Sequence, residues 1–161
     1  MTLTGRAALV AFVGVVVVLL APLGGNTVVI VLAMLTFGVL ADLVLAASPR
    51  AIAIARGGDT STRVGEAAEV FVTLHNPTTR TARGWVRDAW PPSAGAGPRT
   101  QRIALAPGAQ HRVRTTLQPT RRGERRAAEV TLRLTGPLGL AARQRSRRCE
   151  WSVFVLPPFS S

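Results

Sequence analysis

The stretch "EVFVTLHNP", residues Glu69–Pro77, decides the fold. Its apolar residues fall at every second position. Val70, Val72 and Leu74 share one face, and Glu69, Phe71, Thr73 and His75 share the other, the mark of a half-buried strand. Asn-Pro then ends the run with turn chemistry. The same alternation recurs downstream. "RVRTTL" sets Val113, Thr115 and Leu117 against Arg112, Arg114 and Thr116. "EVTLRLT" turns Val130, Leu132 and Leu134 inward, and "WSVFVL" gives Trp151, Val153 and Val155. Weaker strands are predicted at Ala51–Ala55, Trp85–Trp90 and Gln101–Leu105. Turn signals separate them: "VGE", "NPT", "WPPSAGAGP", "APG", "RRGE" and "GPLG". Some seven short strands with no helical stretch predict an all-β antiparallel sandwich of the immunoglobulin-like kind over residues 48–161.

Upstream the pattern is different. "AALVAFVGVVVVLLAPL" (7–23) carries no charge, and "TVVIVLAMLTFGVLADLVLAA" (27–47) carries only Asp42. Both fall within the ~17–25 apolar residues that cross a bilayer. The link Gly24-Gly25-Asn26 leaves room only for a reversal, so residues 1–47 read as an antiparallel transmembrane hairpin. The apolar run is long for a cleaved signal peptide, and no A-x-A-like site follows it. Arg6 and Arg50 flank the open end and no basic residue stands at the closed end. The positive-inside rule therefore predicts a multi-pass protein of the cell (inner) membrane with both termini cytoplasmic.

The chain has 161 residues and a net charge of +12, and all 20 basic residues are arginine. Residues 1–47 hold one base, Arg6, and one acid, Asp42, so the excess charge belongs to the strand-rich part. Such a surface favours anionic partners: acidic proteins, lipid headgroups or nucleic acid. Nucleic acid is disfavoured because tyrosine is absent and the arginines are not interleaved with exposed aromatics. The single cysteine, Cys149, excludes an internal disulfide and reads as a small apolar residue beside Trp151.

Asp42 is the one ionisable group inside a span. It reads as an interfacial carboxylate reaching headgroup water or a basic partner, or as a proton or ion relay. The turn "PTRRGERR" gathers Arg121, Arg122, Arg125 and Arg126 around Gly123, and "RQRSRR" (143–148) forms a second basic run at a strand edge. Arginines there are accounted for by solvated turns and by edge protection, and they also suit docking to an acidic partner or to headgroups. His75 and His111 are read as outward residues on different strands without metal-ligand spacing. No nucleophile elbow, P-loop or dinucleotide fingerprint occurs. No catalytic, metal or cofactor-binding residue is assigned, and the chain is not expected to be an enzyme.

Taken in order, the two spans ending "ADLVLAA", then "VGEAAEVFVTLHNPTTR", "VRDAWPP", "LAPGAQHRVRTTLQPTRRGERRAAEVTLRLTGPLGL" and "VFVLPPF", resemble the N-terminal half of the bacterial domain-of-unknown-function 58 family. The most specific pieces are "P-x-x-R-R-G" at Pro119–Gly123 and "P-L-G-L" at Pro137–Leu140. Members often carry an aspartate before the second motif and an aromatic after the first, where this chain has Gly136 and Glu124-Arg125. The resemblance implies a membrane protein associated with a MoxR-type AAA+ ATPase, acting as an adaptor in assembly or maturation of protein complexes. It also implies a following module similar to von Willebrand factor A, which lies beyond Ser161. The rival expectation is an extracytoplasmic envelope domain that binds anionic wall polymer or lipid.

Overall fold

A computed structural model describes residues 2–20 and 26–158, with side chains from Thr4 onward. The chain runs β1 (Thr2–Leu3), α1 (Gly5–Leu20), α2 (Asn26–Leu45), β2 (Ala53–Gly58), β3 (Ser61–Arg63), β4 (Ala68–His75), β5 (Ala82–Ala89), β6 (Thr100–Leu105), β7 (Gln110–Leu117), β8 (Gly123–Thr135) and β9 (Ala141–Leu156).

The two helices consist almost wholly of apolar residues. α2 is 20 residues long with mean hydropathy 2.7 and only 6% of it buried, so it is long and apolar enough to cross a membrane. A core helix of the sandwich would be covered; this one is bare. Among the described residues α1 has 16, fewer than that length. The helix ends differ from the expected spans: α1 starts before Ala7, α2 stops at Leu45, and Gly24-Gly25 lie outside the described residues. Gly14 and Val31 meet closely; a Cβ at Gly14 would stand 2.9 Å from the Val31 Cγ1. The missing side chain lets the two helices approach.

The remainder is a two-sheet sandwich. One sheet has the order β1-β9-β8-β5-β6, with β3 joined to the far part of β9, and the other has the order β2-β4-β7. Inward residues match the alternation. Val70, Val72, Leu74, Val130, Leu132 and Leu134 are each at most 1% exposed. The weaker strands form, β2 and β5 with ends moved by one to three residues and β6 starting one residue earlier, and among the described residues after α2 the only helical piece is a 3₁₀ turn at Pro92–Ala94.

Two readings need correction, those on strand sense and on His111, and one, the edge position of the second basic run, holds. The sandwich is mixed, because β3 pairs parallel to β9 (Ser61↔Phe154). The run 143–148 lies inside the 16-residue strand β9. One side of that stretch pairs with β8, and no strand pairs with the other among the described residues, so it does form an edge. His111 stands opposite Leu74 and so lies on the core side, exposed because the sheet ends there. Its parity with Val113 already dictated this.

Two polar clusters are buried with the apolar ones. Asn76, fully buried, donates from its amide to the carbonyls of Arg80 (2.8 Å), Leu105 (3.1 Å) and Ala106 (3.1 Å). Its carbonyl oxygen accepts from the Thr78 amide and hydroxyl. The Asn-Pro signal thus marks a side chain that ties together the loops at one end of the sandwich. Between the sheets, the Arg56 guanidinium on β2 pairs with the Asp88 carboxylate on β5, and Trp90 Nε1 donates to the other carboxylate oxygen at 2.8 Å. The Arg56 guanidinium also lies 5.6 Å from the centre of the Trp90 ring. Burial pushes the Asp88 carboxyl above the ordinary aspartate value, against the opposing pull of Arg56, Trp90 and Thr115.

Candidate functional site: the helix clamp and the arginine turn

The connection between helices and sandwich is built on one turn, residues Gly136–Ala141, joining β8 to β9. Its ends are tied by Gly136 N–H to the Ala141 carbonyl and Gly139 N–H to the Gly136 carbonyl. Gly139 takes positive φ (+70°), the conformation glycine adopts without steric cost. The turn thereby leaves three backbone N–H groups aimed at α2.

Asp42 fills that gap. Its Oδ1 accepts from Leu138 N–H at 2.6 Å, and its Oδ2 accepts from Leu140 N–H at 2.7 Å and Ala141 N–H at 2.8 Å. The side chain has no exposed surface. Gly136 makes room: a Cβ there would collide with the Asp42 carbonyl and carboxylate. The sequence predicts headgroup water or a basic partner for Asp42; the carboxylate is instead held by a nest of backbone amides. A carboxylate in such a nest is held by charge-assisted bonds, about twice as strong as neutral ones.

The other arm of the helix pair grips the same turn by complementary chemistry. The Thr4 hydroxyl donates to the carbonyls of Gly139 and Leu140 (3.0 Å for the latter), and Thr4 N–H donates to the Leu140 carbonyl at 3.0 Å. β1 adds an antiparallel pairing, Leu3↔Ala141. One arm thus takes the turn's carbonyls and the other its N–H groups. The end of α2 is further held by the Arg80 guanidinium, which donates to the Val44 carbonyl at 2.5 Å, the favourable place for a cation on a helix. Arg147 donates to the Arg50 carbonyl at 2.9 Å, tying the segment after α2 to β9.

The arginine turn lies at the opposite end of β8. From Gly123 to Thr135 the strand makes twelve steps, about 40 Å at ~3.3 Å per residue. That exceeds the Debye length of ~8 Å several-fold, so charges at the two ends of β8 are screened from each other by solvent. Its four arginines divide. Arg125 folds back to donate to the carbonyls of Arg121 (2.8 Å), Arg122 (3.2 Å) and Glu124 (3.2 Å), which makes it the brace of the turn. Arg126 pairs with Glu124 at 2.7 Å. The hydrogen bond from Arg126 holds the Glu124 carboxyl below its ordinary value. Arg121 and Arg122 are exposed. Sequence alone could not separate braces from free cations, because that depends on which carbonyls the turn presents.

Among the described residues, no group of three or more His, Cys, Asp or Glu is arranged to hold a metal ion. Cys149 is half-buried against the core.

No known protein-family pattern matches the chain, and no curated protein matches it. Among solved structures, the ASH / PapD-like domain of human CEP192 (PapD-like domain 7) is similar with TM-score 0.48 and 15% identity, over 70% of this chain and 92% of that one. The CARDB domain of a Pyrococcus furiosus protein, in complex with di-metal ions, is similar with TM-score 0.48 and 16% identity, over 65% of this chain and 87% of that one.

Proposed function

We propose that this chain is a membrane-anchored, non-enzymatic interaction module, with α1 and α2 as a transmembrane hairpin that carries the sandwich on the cytoplasmic face of the inner membrane. Its partner would be a MoxR-type AAA+ ATPase, as the resemblance to the domain-of-unknown-function 58 family implies. The role would be adaptor work in assembly or maturation of protein complexes.

The observation that carries this reading is the Asp42 clamp. A domain on a slack tether has no fixed orientation, whereas one whose turn is gripped by both helix arms holds its far end at a set height. That far end presents Arg121 and Arg122, the two cations of the turn not spent on bracing it. Such a tip suits an acidic protein surface some 40 Å from the helices. The orientation rests on the arginines near the helix ends, Arg6, Arg50 and Arg80, by the positive-inside rule.

The test is Arg121→Glu with Arg122→Glu in the full chain, followed by in-cell crosslinking. Loss of a crosslinked ATPase, with the protein still in the membrane, is the expected result. An unchanged set of partners overturns docking at this turn. A phosphatase reporter fused after Ser161 separates this reading from an extracytoplasmic domain that binds wall polymer, which requires the reporter to be active outside.

A further inference from the structure

Beside the clamp, on the outward face of the six-stranded sheet, a cleft of about 570 Å³ opens between the start of α1, the Gly136–Ala141 turn and strands β5, β6 and β8. Four arginines line it: Arg6 from α1, Arg83 from β5, Arg102 from β6 and Arg133 from β8. The strand register sets three of its residues in one row, with Arg102 and Arg133 each directly opposite Trp85 from either side. The Arg102 guanidinium lies 5.2 Å from the centre of the Trp85 ring. No carboxylate stands among the described lining residues. The Trp85 ring offsets part of the repulsion among these like charges, and an anion seated between them would relieve the rest.

The cleft's position indicates which anion. Thr4 precedes and Gly5 and Arg6 begin the apolar helix α1, and Gly136, Pro137 and Gly139 belong to the turn that Asp42 holds against the end of α2. The mouth therefore lies where both helices leave the sandwich. Trp85 is 41% exposed and Leu138, at the tip of the same turn, is 53% exposed. An exposed tryptophan beside arginines is the usual equipment of a membrane–water boundary. We infer that this four-arginine cleft binds the phosphate of an anionic phospholipid headgroup, with Arg102 and Arg133 as its principal ligands and Trp85 as the wall at headgroup depth. The inference rests on the membrane-spanning reading of the helices. The bound lipid would fix the height of the sandwich above the bilayer, complementing the clamp from the opposite side of the turn. Pairing of the guanidinium fork with phosphate oxygens supplies the selectivity.

The experiment uses the full chain in nanodiscs of phosphatidylcholine doped with phosphatidylglycerol, and reads the lipids retained after extraction by native mass spectrometry. Wild type should retain phosphatidylglycerol preferentially. Arg102→Gln with Arg133→Gln should lower that preference on the order of 30-fold, at about fivefold per arginine near the surface. Arg121→Gln with Arg122→Gln, at the far end, should leave it unchanged. Equal retention of the two lipids by wild type, or an equal loss in both double variants, overturns the site. Displacement of the lipid by millimolar inorganic phosphate overturns it in favour of free phosphate. Should the Arg102/Arg133 variant not fold, wild-type tryptophan fluorescence decides. Headgroup-labelled phosphatidylglycerol must quench it more than labelled phosphatidylcholine does, and equal quenching overturns the site. A chain that stays in solution without lipid or detergent refutes the membrane reading itself, a separate outcome from membrane insertion without lipid preference.

Discussion

Replacing Asp42 by asparagine tests the clamp with a change of a single atom in the side chain's outline. The carboxylate accepts three N–H groups, one on Oδ1 and two on Oδ2, in a site closed to solvent. Asparagine keeps one acceptor and turns an NH₂ toward either Leu138 N–H or the Leu140 and Ala141 N–H pair, so donor faces donor. A hydrogen bond to a charged group contributes about 1.5–3 kcal/mol, and a buried donor left unsatisfied costs about 1–3 kcal/mol. Losing the single Oδ1 bond and the charge that strengthens the other two therefore costs about 3 kcal/mol. The turn can open toward water without unfolding the strands, so the cost appears as local opening rather than global melting. Amide exchange in nanodiscs reads this directly. Leu138, Leu140 and Ala141 should exchange about 100-fold faster in Asp42→Asn, at 1.4 kcal/mol per factor of ten. The Leu132 and Leu134 amides of β8 should keep their rates. Unchanged protection at the three turn amides would refute the reasoning, because Asp42 would then not be their acceptor.

Three further outcomes follow from the same geometry. Gly136→Ala should mimic Asp42→Asn at the turn amides, since its Cβ collides with the Asp42 carbonyl and carboxylate; wild-type exchange in this variant would show that the contact is not needed. Asn76→Ala strips a buried network of five hydrogen bonds, and should cost about 3 kcal/mol and lower the thermal midpoint by roughly 10 °C in a melt followed by near-ultraviolet dichroism. For Asp88, whose folded pKa is raised by burial, the folded state binds the extra proton. Its contribution to stability is therefore largest below the ordinary aspartate range and shrinks as pH rises through the folded pKa. The stability of wild type minus that of Asp88→Asn, from denaturant titrations at several pH values, should fall with rising pH over that window; a rise would mean that the Arg56 pair outweighs burial.

Much of this molecule was legible in order along the chain. Alternation at Val70–Leu74 and Val130–Leu134 specifies strands with one buried face, because a period of two is the only way a pleated chain can place apolar residues on one side. The long apolar run of α2, charged only at Asp42, likewise specifies a helix long and apolar enough to cross a membrane. Turn residues marked the reversals, and Asn-Pro marked the loop that Asn76 holds. None of these statements requires knowing what lies across the core.

The clamp does require it. The sequence offers a lone aspartate at position 42 and a Gly-Pro-Leu-Gly turn 94 residues later, and each has an adequate local explanation. Only tertiary packing brings the carboxylate to the bare N–H groups, because neither partner advertises a need for the other until both are removed from water. The same holds for the arginines. Twenty of them are indistinguishable in the sequence, yet folding spends Arg56, Arg80, Arg125 and Arg147 on internal acceptors. It leaves Arg121 and Arg122 at one end and gathers Arg102 and Arg133 about Trp85 at the other. Local periodicity determines which face a side chain takes; which groups it meets there is set by strand register and by chain closure over long separations, and these the linear pattern does not encode.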